Sequence, residues 1–429
     1  MSKLKELIER LCPNGVEYKP LGEVGTFTRG NGLQKKDFVD KGVGCIHYGQ
    51  IYTHYGTFAT ETKSFVSKSL ANKLRKASSG DLVIATTSEN VEDVCKAVAW
   101  LGDNDIAVSS DAFIYHHTLN PKFVAYFFQT DYFQTQKKPF ISGTKVMRIS
   151  GENLAKIHIP IPPIEVQEEI VKILDRFADY AAELQAELQA RKEQYEYYRN
   201  LLLTFNPSAY GCGTDGKQEI KDVTAWGHSY EITWKTMGEI GKFIRGKRFV
   251  RTDIMETGTP CIHYGDMYTY YGLYATETPG FLNDEISKKM RFAEPNDVVI
   301  VAAGENKEDL GNALAWLGSK PAAVHDACFI FKSNMYPNYL SHVCRTRNYH
   351  RQVRVYANEA KICSVSGADL SKVVIPVPPY ELQVKIASIL DRFETLVNDL
   401  NEGLPAEIAA VKEQYEYYRN KLLTFKQIA

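Results

Sequence analysis

The sequence predicts a mixed α/β protein built as an internal duplication. Two globular units of one fold are each followed by a long helix, and the helices form an antiparallel coiled coil with pseudo-twofold symmetry. Three observations carry this expectation. One offset, 216 residues, relates most of the first half to the second: Cys45 to Cys261, Asp81 to Asp297, Ile159 to Ile375. Each half alternates short β-like runs with turns and some helix. After a Pro-Pro pair in each half, the apolar spacing becomes helical and stays so for about 40 residues.

The repeat is explicit at four places. LGEVGTFTRG from Leu21 returns as MGEIGKFIRG from Met237, and CIHYGQIYTHYGTFATET from Cys45 as CIHYGDMYTYYGLYATET from Cys261. DLVIATTSENVEDVCKAVAWLG from Asp81 returns as DVVIVAAGENKEDLGNALAWLG from Asp297, and IPIPPIEVQ from Ile159 as IPVPPYELQ from Ile375. The tightest copy closes each helix: Lys192–Phe205 (KEQYEYYRNLLLTF) and Lys412–Phe425 (KEQYEYYRNKLLTF), which differ only at Leu201 against Lys421. A period this long means a duplicated domain-plus-helix unit, not a solenoid.

In chain order, residues 1–158 form the first globular unit, with a short helix of Leu4, Leu7, Ile8 and Leu11 ended by Pro13 and Gly15. Strands are expected at Asp81–Ala85, Ala107–Tyr115 and Lys156–Ile161, and a helix at Phe123–Gln134. Pro162-Pro163 turns strand into helix, because proline breaks a ladder but suits a first helical turn. The first spacer helix is 159–206. Its seam runs Ile170, Leu174, Phe177, Ala181, Leu184, Leu188, then Tyr195, Tyr198, Leu202 and Phe205. The linker NPSAYGCGTDGK leads to the second unit, 207–374, and the second spacer helix is 375–429. Four extra residues around Gly403-Leu-Pro405 lengthen that helix, a stutter with a proline able to kink it.

Composition excludes several classes. Apolar content of 44% and charged content of 24% are ordinary for a soluble protein. No apolar run is long enough to span a bilayer, and MSKLKELIERL has an amphipathic pattern, not that of a signal peptide. Eight cysteines without a C-x-x-C pair suggest reduced thiols in a cytoplasmic protein, with no metal site. The net charge of −1 gives no global case for nucleic acid.

Three motifs approach catalysis, and the repeat is a control on each. Asp297…Glu305-Asn-Lys307 has the carboxylate and lysine pattern of a metal-dependent nuclease, but the first copy places Val91 where Lys307 stands. Val377-Pro-Pro-Tyr380 lacks the polar residue an amino-methyltransferase needs before the prolines. Gly241…Gly246-Lys247-Arg248 has arginine where a phosphate-binding loop needs a hydroxyl. No catalytic residue is assigned.

Binding chemistry is local. Lys242–Arg251 and Arg345–Arg354 are basic and free of acids, suited to phosphate neutralisation. Interleaved aromatics and amides are suited to base edges. The candidate DNA-binding residues are Arg29, Asn31, Lys35, His47, Tyr48, Tyr52, Tyr55, Lys145 and Arg148 in the first unit. In the second they are Arg245, Lys247, Arg248, His263, Tyr264, Tyr268, Tyr271, Lys307 and Lys361. Tyr195, Tyr198, Tyr415 and Tyr418 read as seam residues. Glu196, Tyr197, Arg199 and Asn200, with Glu416, Tyr417, Arg419 and Asn420, then face outward and are the candidate partner-docking positions.

Ile-Pro-x-Pro-Pro…Gln…Ile-Leu-Asp-Arg-Phe, followed by Lys-Glu-Gln-Tyr-Glu-Tyr-Tyr-Arg-Asn, twice over, resembles the specificity (S) subunit of type I restriction–modification systems. The resemblance implies two target-recognition domains, each reading half of a bipartite asymmetric sequence in double-stranded DNA. It implies helices that set the spacing and dock two modification (adenine methyltransferase) subunits, with restriction subunits where the complex contains them. S-adenosylmethionine, ATP and Mg²⁺ would then sit on those partners, and this chain would be non-catalytic and cytoplasmic. The alternatives are a stand-alone pseudo-symmetric DNA-binding regulator and a nuclease using Asp297, Glu305 and Lys307.

Overall fold

A computed structural model describes residues 2–205, 220–225, 228–358, 362–399 and 402–428. The NPSAYGCGTDGK linker and Lys361 lie outside these residues. The chain packs as two compact units: Met1–Leu184 with Ile408–Ala429, and Gln185–Glu407. Each unit therefore contains one globular fold, the start of its own spacer helix and the end of the other. The linear division into domain, helix, domain, helix does not follow these packing boundaries.

In the first unit one five-stranded sheet has the order Gly25–Arg29, Ala112–His117, Leu82–Ala85, Ala97–Trp100, Phe58–Ala59. The second unit repeats it as Gly241–Arg245, Cys328–Ser333, Val298–Val301, Ala313–Trp316, Tyr274–Ala275. The register repeats too: Ala97 pairs with Ile84, and Ala313 with Ile300. The central strands Leu82–Ala85 and Val298–Val301 are buried at every residue, which explains their unbroken apolar runs. A second sheet packs beside the first in each unit, five strands around Val43–Ile46 and Ile106–Val108, and four around Thr259–Ile262 and Ala322–Val324.

Two local expectations are corrected. Ala107–Tyr115 is not one strand: Ile106–Val108 and Ala112–His117 belong to different sheets, separated by a turn at 109–111. Phe123–Gln134 is not one helix but two, Pro121–Phe127 and Asp131–Lys137. Thr130 accepts from the Phe133 N–H and starts the second helix as its N-cap, so a local side-chain bond replaces helical continuity.

The first spacer is one helix, Ile164–Thr204, of 41 residues. The second is two, Tyr380–Asn398 and Leu404–Leu422. At the break, a Cβ on Gly403 would lie 2.3 Å from the Thr395 carbonyl oxygen, so the chain can fold back there only with glycine. Pro405 falls in the first turn of the next segment, where it needs no donor. The expected kink is thus a full interruption.

Both strand-to-helix junctions are held by glutamine. Gln167 Nε2 donates to the Pro162 carbonyl at 2.7 Å while its Oε1 accepts from the Asn120 N–H at 2.9 Å. Gln383 does the same with Pro378 and Tyr336, at 2.8 Å each. Farther along, Phe177 stacks on Tyr418 at 5.4 Å in the first unit, and Phe393 on Tyr198 at 5.8 Å in the second. Within each unit, therefore, the early part of one spacer helix packs against the last part of the other. No helix among the described residues is long and apolar enough to cross a membrane.

Candidate nucleic-acid interface

The turn at 109–111 gathers the first unit's candidates. Arg29 Nε donates to the Ser110 carbonyl at 2.8 Å, and its guanidinium reaches Asp111 at 3.6 Å. The Tyr48 N–H donates to Ser109 Oγ at 2.8 Å, and the Asn31 N–H to the Val108 carbonyl at 3.3 Å. Lys35 is exposed, and its charge is felt at His47. Gly30 lets the backbone pass: a Cβ there would sit 2.2 Å from the Ser109 oxygen. The sequence places Arg29 on a strand end, and the close passage at Gly30 aims the loop after it.

The second unit builds the same face around 325–327. Arg245 Nε donates to the Asp326 carbonyl at 2.9 Å, and Lys247 N–H to the Val324 carbonyl at 2.9 Å. His325 stands where the first unit has Ser109. Its ring lies 4.7 Å from His263, 5.1 Å from Tyr264 and 5.2 Å from Phe249. Arg245, Lys247, Arg248, Tyr264 and Tyr268 are exposed. Arg251 spans to Asp266 at 2.9 Å.

Several candidates spend their polar groups inside the fold. His47 Nδ1 accepts from the Gly49 N–H at 3.2 Å, and His263 Nδ1 from the Gly265 N–H at 3.1 Å. Burial lowers both imidazole pKa values; Lys35 adds to this at His47, and Arg251, against Asp266, at His263. At neutral pH these rings lock turns and carry no charge to a phosphate. Asn31 Oδ1 accepts from the Arg75 N–H at 2.7 Å while Nδ2 donates to the Lys73 carbonyl at 3.0 Å. Tyr55 is buried with its hydroxyl accepting from the Lys63 N–H, and Tyr271 is buried in the small core behind the face.

A second cluster lies beyond the helix Tyr48–Thr53. Tyr52 donates its hydroxyl to the Thr87 carbonyl at 2.8 Å, and Thr87–Ser88 pairs with Met147–Arg148. That bridge holds the exposed turn with Lys145 and Arg148. In the second unit Tyr264, Tyr268 and Tyr271 line a cavity of ≈ 540 Å³ with Glu305, Asn306, Asp309, Asn312 and Arg345. Lys307 sits in the short turn Lys307–Asp309 at its rim. Asp297 is buried away from it, accepting from the Glu294 N–H at 2.7 Å and paired with Lys332 at 2.9 Å. Asp297 therefore stabilises a turn, as Asp81 does by accepting from the Ser78 N–H at 2.8 Å.

The docking candidates divide. Tyr197 and Tyr417 are 64% and 57% exposed, and Glu196 and Glu416 are exposed. Arg199 and Arg419 lie over the Tyr195 and Tyr415 rings at 5.0 and 5.2 Å, and Asn200 and Asn420 bond to the globular folds. The outward orientation expected of those four does not hold, because the end of each spacer helix packs on a globular fold.

Sequence reasoning passed over Arg75 and Arg291. Arg75 Nη1 donates to the Arg29 carbonyl, and Arg291 Nη1 to the Arg245 carbonyl, each at 2.6 Å. Both are exposed. The 216-residue offset was the signal that could have found them.

Two matching loop faces, one on each copy of a duplicated fold, define a paired recognition protein. The type I restriction–modification DNA specificity domain matches residues 13–193 and 231–410, so the chain belongs to that family as a specificity subunit with two target-recognition domains. It is 31% identical to the EcoR124I/EcoR124II specificity subunit of Escherichia coli, over 65% of each chain. It is 26% identical to a putative type I specificity subunit of Haemophilus influenzae, over 99% of this chain and 100% of that one. Among solved structures, a chain from work on assembly and conformational transition of the type I system superposes with a TM-score of 0.61. That match has 17% identity and covers 96% of this chain and 98% of the other. The M. genitalium S subunit matches with a TM-score of 0.51 and 14% identity, over 95% and 96%.

Proposed function

We propose that each globular fold reads one half of a bipartite, asymmetric double-stranded DNA target, and that the chain contributes recognition and no catalytic group. The observation that carries this is the matched pair of basic faces around Ser109–Asp111 and His325–Ala327, one per copy of the fold. The faces share their arginines and differ in the loops after the strand-end arginines, Asn31–Asp40 against Lys247–Glu256, and in Ser109 against His325. Shared residues then position the duplex, and divergent ones separate the half-sites.

The spacer helices set the gap between half-sites. A 41-residue helix is about 60 Å long, enough to span one helical turn of DNA, about 34 Å. Tyr197, Glu196, Tyr417 and Glu416 are the docking positions for two adenine-modifying subunits, which bring S-adenosylmethionine; restriction subunits bring ATP and Mg²⁺ chemistry. Base extrusion for methylation belongs to those partners.

The test is methylation-sensitive sequencing of DNA from cells expressing the chain with a modification subunit. The expected result is a two-part motif with a fixed spacer. Exchanging Asn31–Asp40 with Lys247–Glu256 should change the motif, and an unchanged motif would reject this division of roles. A stand-alone regulator would instead bind its site tightly and run alone on gel filtration in the presence of the modification subunit.

A further inference from the structure

We propose that Arg75 and Arg291 anchor the DNA backbone, each forming with Arg29 or Arg245 a two-guanidinium phosphate site that is blind to base sequence. The inference rests on the reading that the two faces bind DNA, and it names the contacts that position rather than specify. Its basis is a geometry present twice. Lys73-Leu-Arg75 and Lys289-Met-Arg291 are related by the common offset, and each arginine makes the same 2.6 Å bond to the carbonyl of the strand-end arginine. The strand-end arginines in turn make equivalent bonds to Ser110 and Asp326. Gly30 and Gly246 fix both pairs, since a Cβ at either would meet a backbone oxygen, Ser109 O at 2.2 Å or His325 O at 2.3 Å.

A guanidinium has five N–H donors, and the bond to the strand-end carbonyl uses one of Arg75's and one of Arg291's. All four arginines are exposed. Structural need alone explains the pairing poorly, because an exposed hydrogen bond to a carbonyl contributes little stability. Two exposed arginines, one bonded through its side chain to the other's backbone carbonyl, give a phosphodiester two guanidinium donors within one loop cluster. The pair is kept in both copies while the turn that the strand-end arginine contacts differs, Ser110-Asp111 against Asp326-Ala327. A contact needed by both half-sites, whatever their sequence, has that pattern.

The experiment titrates a fluorescent duplex carrying the motif found by sequencing, using the full chain co-purified with its modification subunits, across a range of salt. Arg75→Gln and Arg291→Gln should each weaken binding about 3- to 10-fold and reduce the slope of log K against log salt by about 0.9, one phosphate's worth. The methylated motif should stay the same, and Arg75→Lys and Arg291→Lys should keep the salt slope and bind more tightly than the glutamine variants, since the charge remains without the fork. Wild-type affinity and slope in the glutamine variants would overturn the proposal. So would a changed motif, which marks base readers, or lysine variants as weak as the glutamine ones with lowered melting, which marks a purely structural bond. If the wild-type complex fails to bind its own motif, the DNA-reading assignment itself falls.

Discussion

Asn420 Oδ1 accepts the backbone N–H of Asp131 at 2.9 Å, and its Nδ2 returns a bond to the Asp131 carboxylate at 2.9 Å. Asn200 repeats the first bond with Arg347 N–H at 3.1 Å. Asp131 and Arg347 are the first residues of equivalent helices, where N–H groups have no partner inside the helix. Each twin segment therefore ends on the fold that the other helix leaves. The near-identity of the two segments has a reason inside the chain: two equal surfaces receive them.

Asn200→Ala and Asn420→Ala should each cost about 1 kcal/mol, the usual value of a lost helix-end acceptor. Urea denaturation of each single variant measures this. Unchanged stability would mean that these asparagines serve an external partner instead.

Tyr197→Ala with Tyr417→Ala should behave in the opposite way. Both rings are exposed, so stability should stay within about 0.5 kcal/mol of wild type while assembly with the modification subunit is lost. Undiminished co-elution on gel filtration would count against docking at these positions.

Lys137 is fully buried, with Nζ donating to the Glu92 and Val94 carbonyls at 2.7 and 2.6 Å. Burial lowers its pKa to about 8. Those carbonyls lead into Cys95, held at φ 71°, where the second unit has Gly311 at φ 85° and needs only Val353 in place of the lysine. Lys137→Met should destabilise the chain by about 1–3 kcal/mol, because two buried acceptors lose their donor. Calorimetric melting would show it, and a melting point equal to wild type would refute the role.

Acid should weaken both folds. Burial lowers the pKa of His117 to about 4 against the pull of Asp81; burial lowers that of His350 to about 4 with help from Arg345, Arg354 and Arg199. Between pH 6.5 and about 4 the unfolded chain binds protons at these sites that the folded chain does not, so stability falls as pH drops through that window. Above 6.5 both states are neutral there and the contribution is constant. His117→Phe should flatten the fall in urea midpoint between pH 7 and pH 5, and an equally steep fall would exclude His117 as a source.

The sequence by itself determined the duplication, the two Pro-Pro helix starts, the seam aromatics and the family. These are local patterns: a fixed offset, a proline that ends a ladder, an apolar spacing that only a helix satisfies. It also singled out Arg29, Arg245, Tyr264 and Tyr268, all of which are exposed in the folded chain. What tertiary structure decided was which groups remain available. His47, His263, Asn31 and Tyr55 look like readers in one dimension, yet each gives its polar atoms to a backbone group brought near by folding. Arg199, Asn200, Arg419 and Asn420 look outward on a helical wheel of two helices, until the globular folds supply a third surface. Arg75 and Arg291 gain meaning only beside Arg29 and Arg245, 46 residues away in sequence and one hydrogen bond away in space. Hydrogen-bond satisfaction is a property of the packed chain, so no periodicity could reveal it.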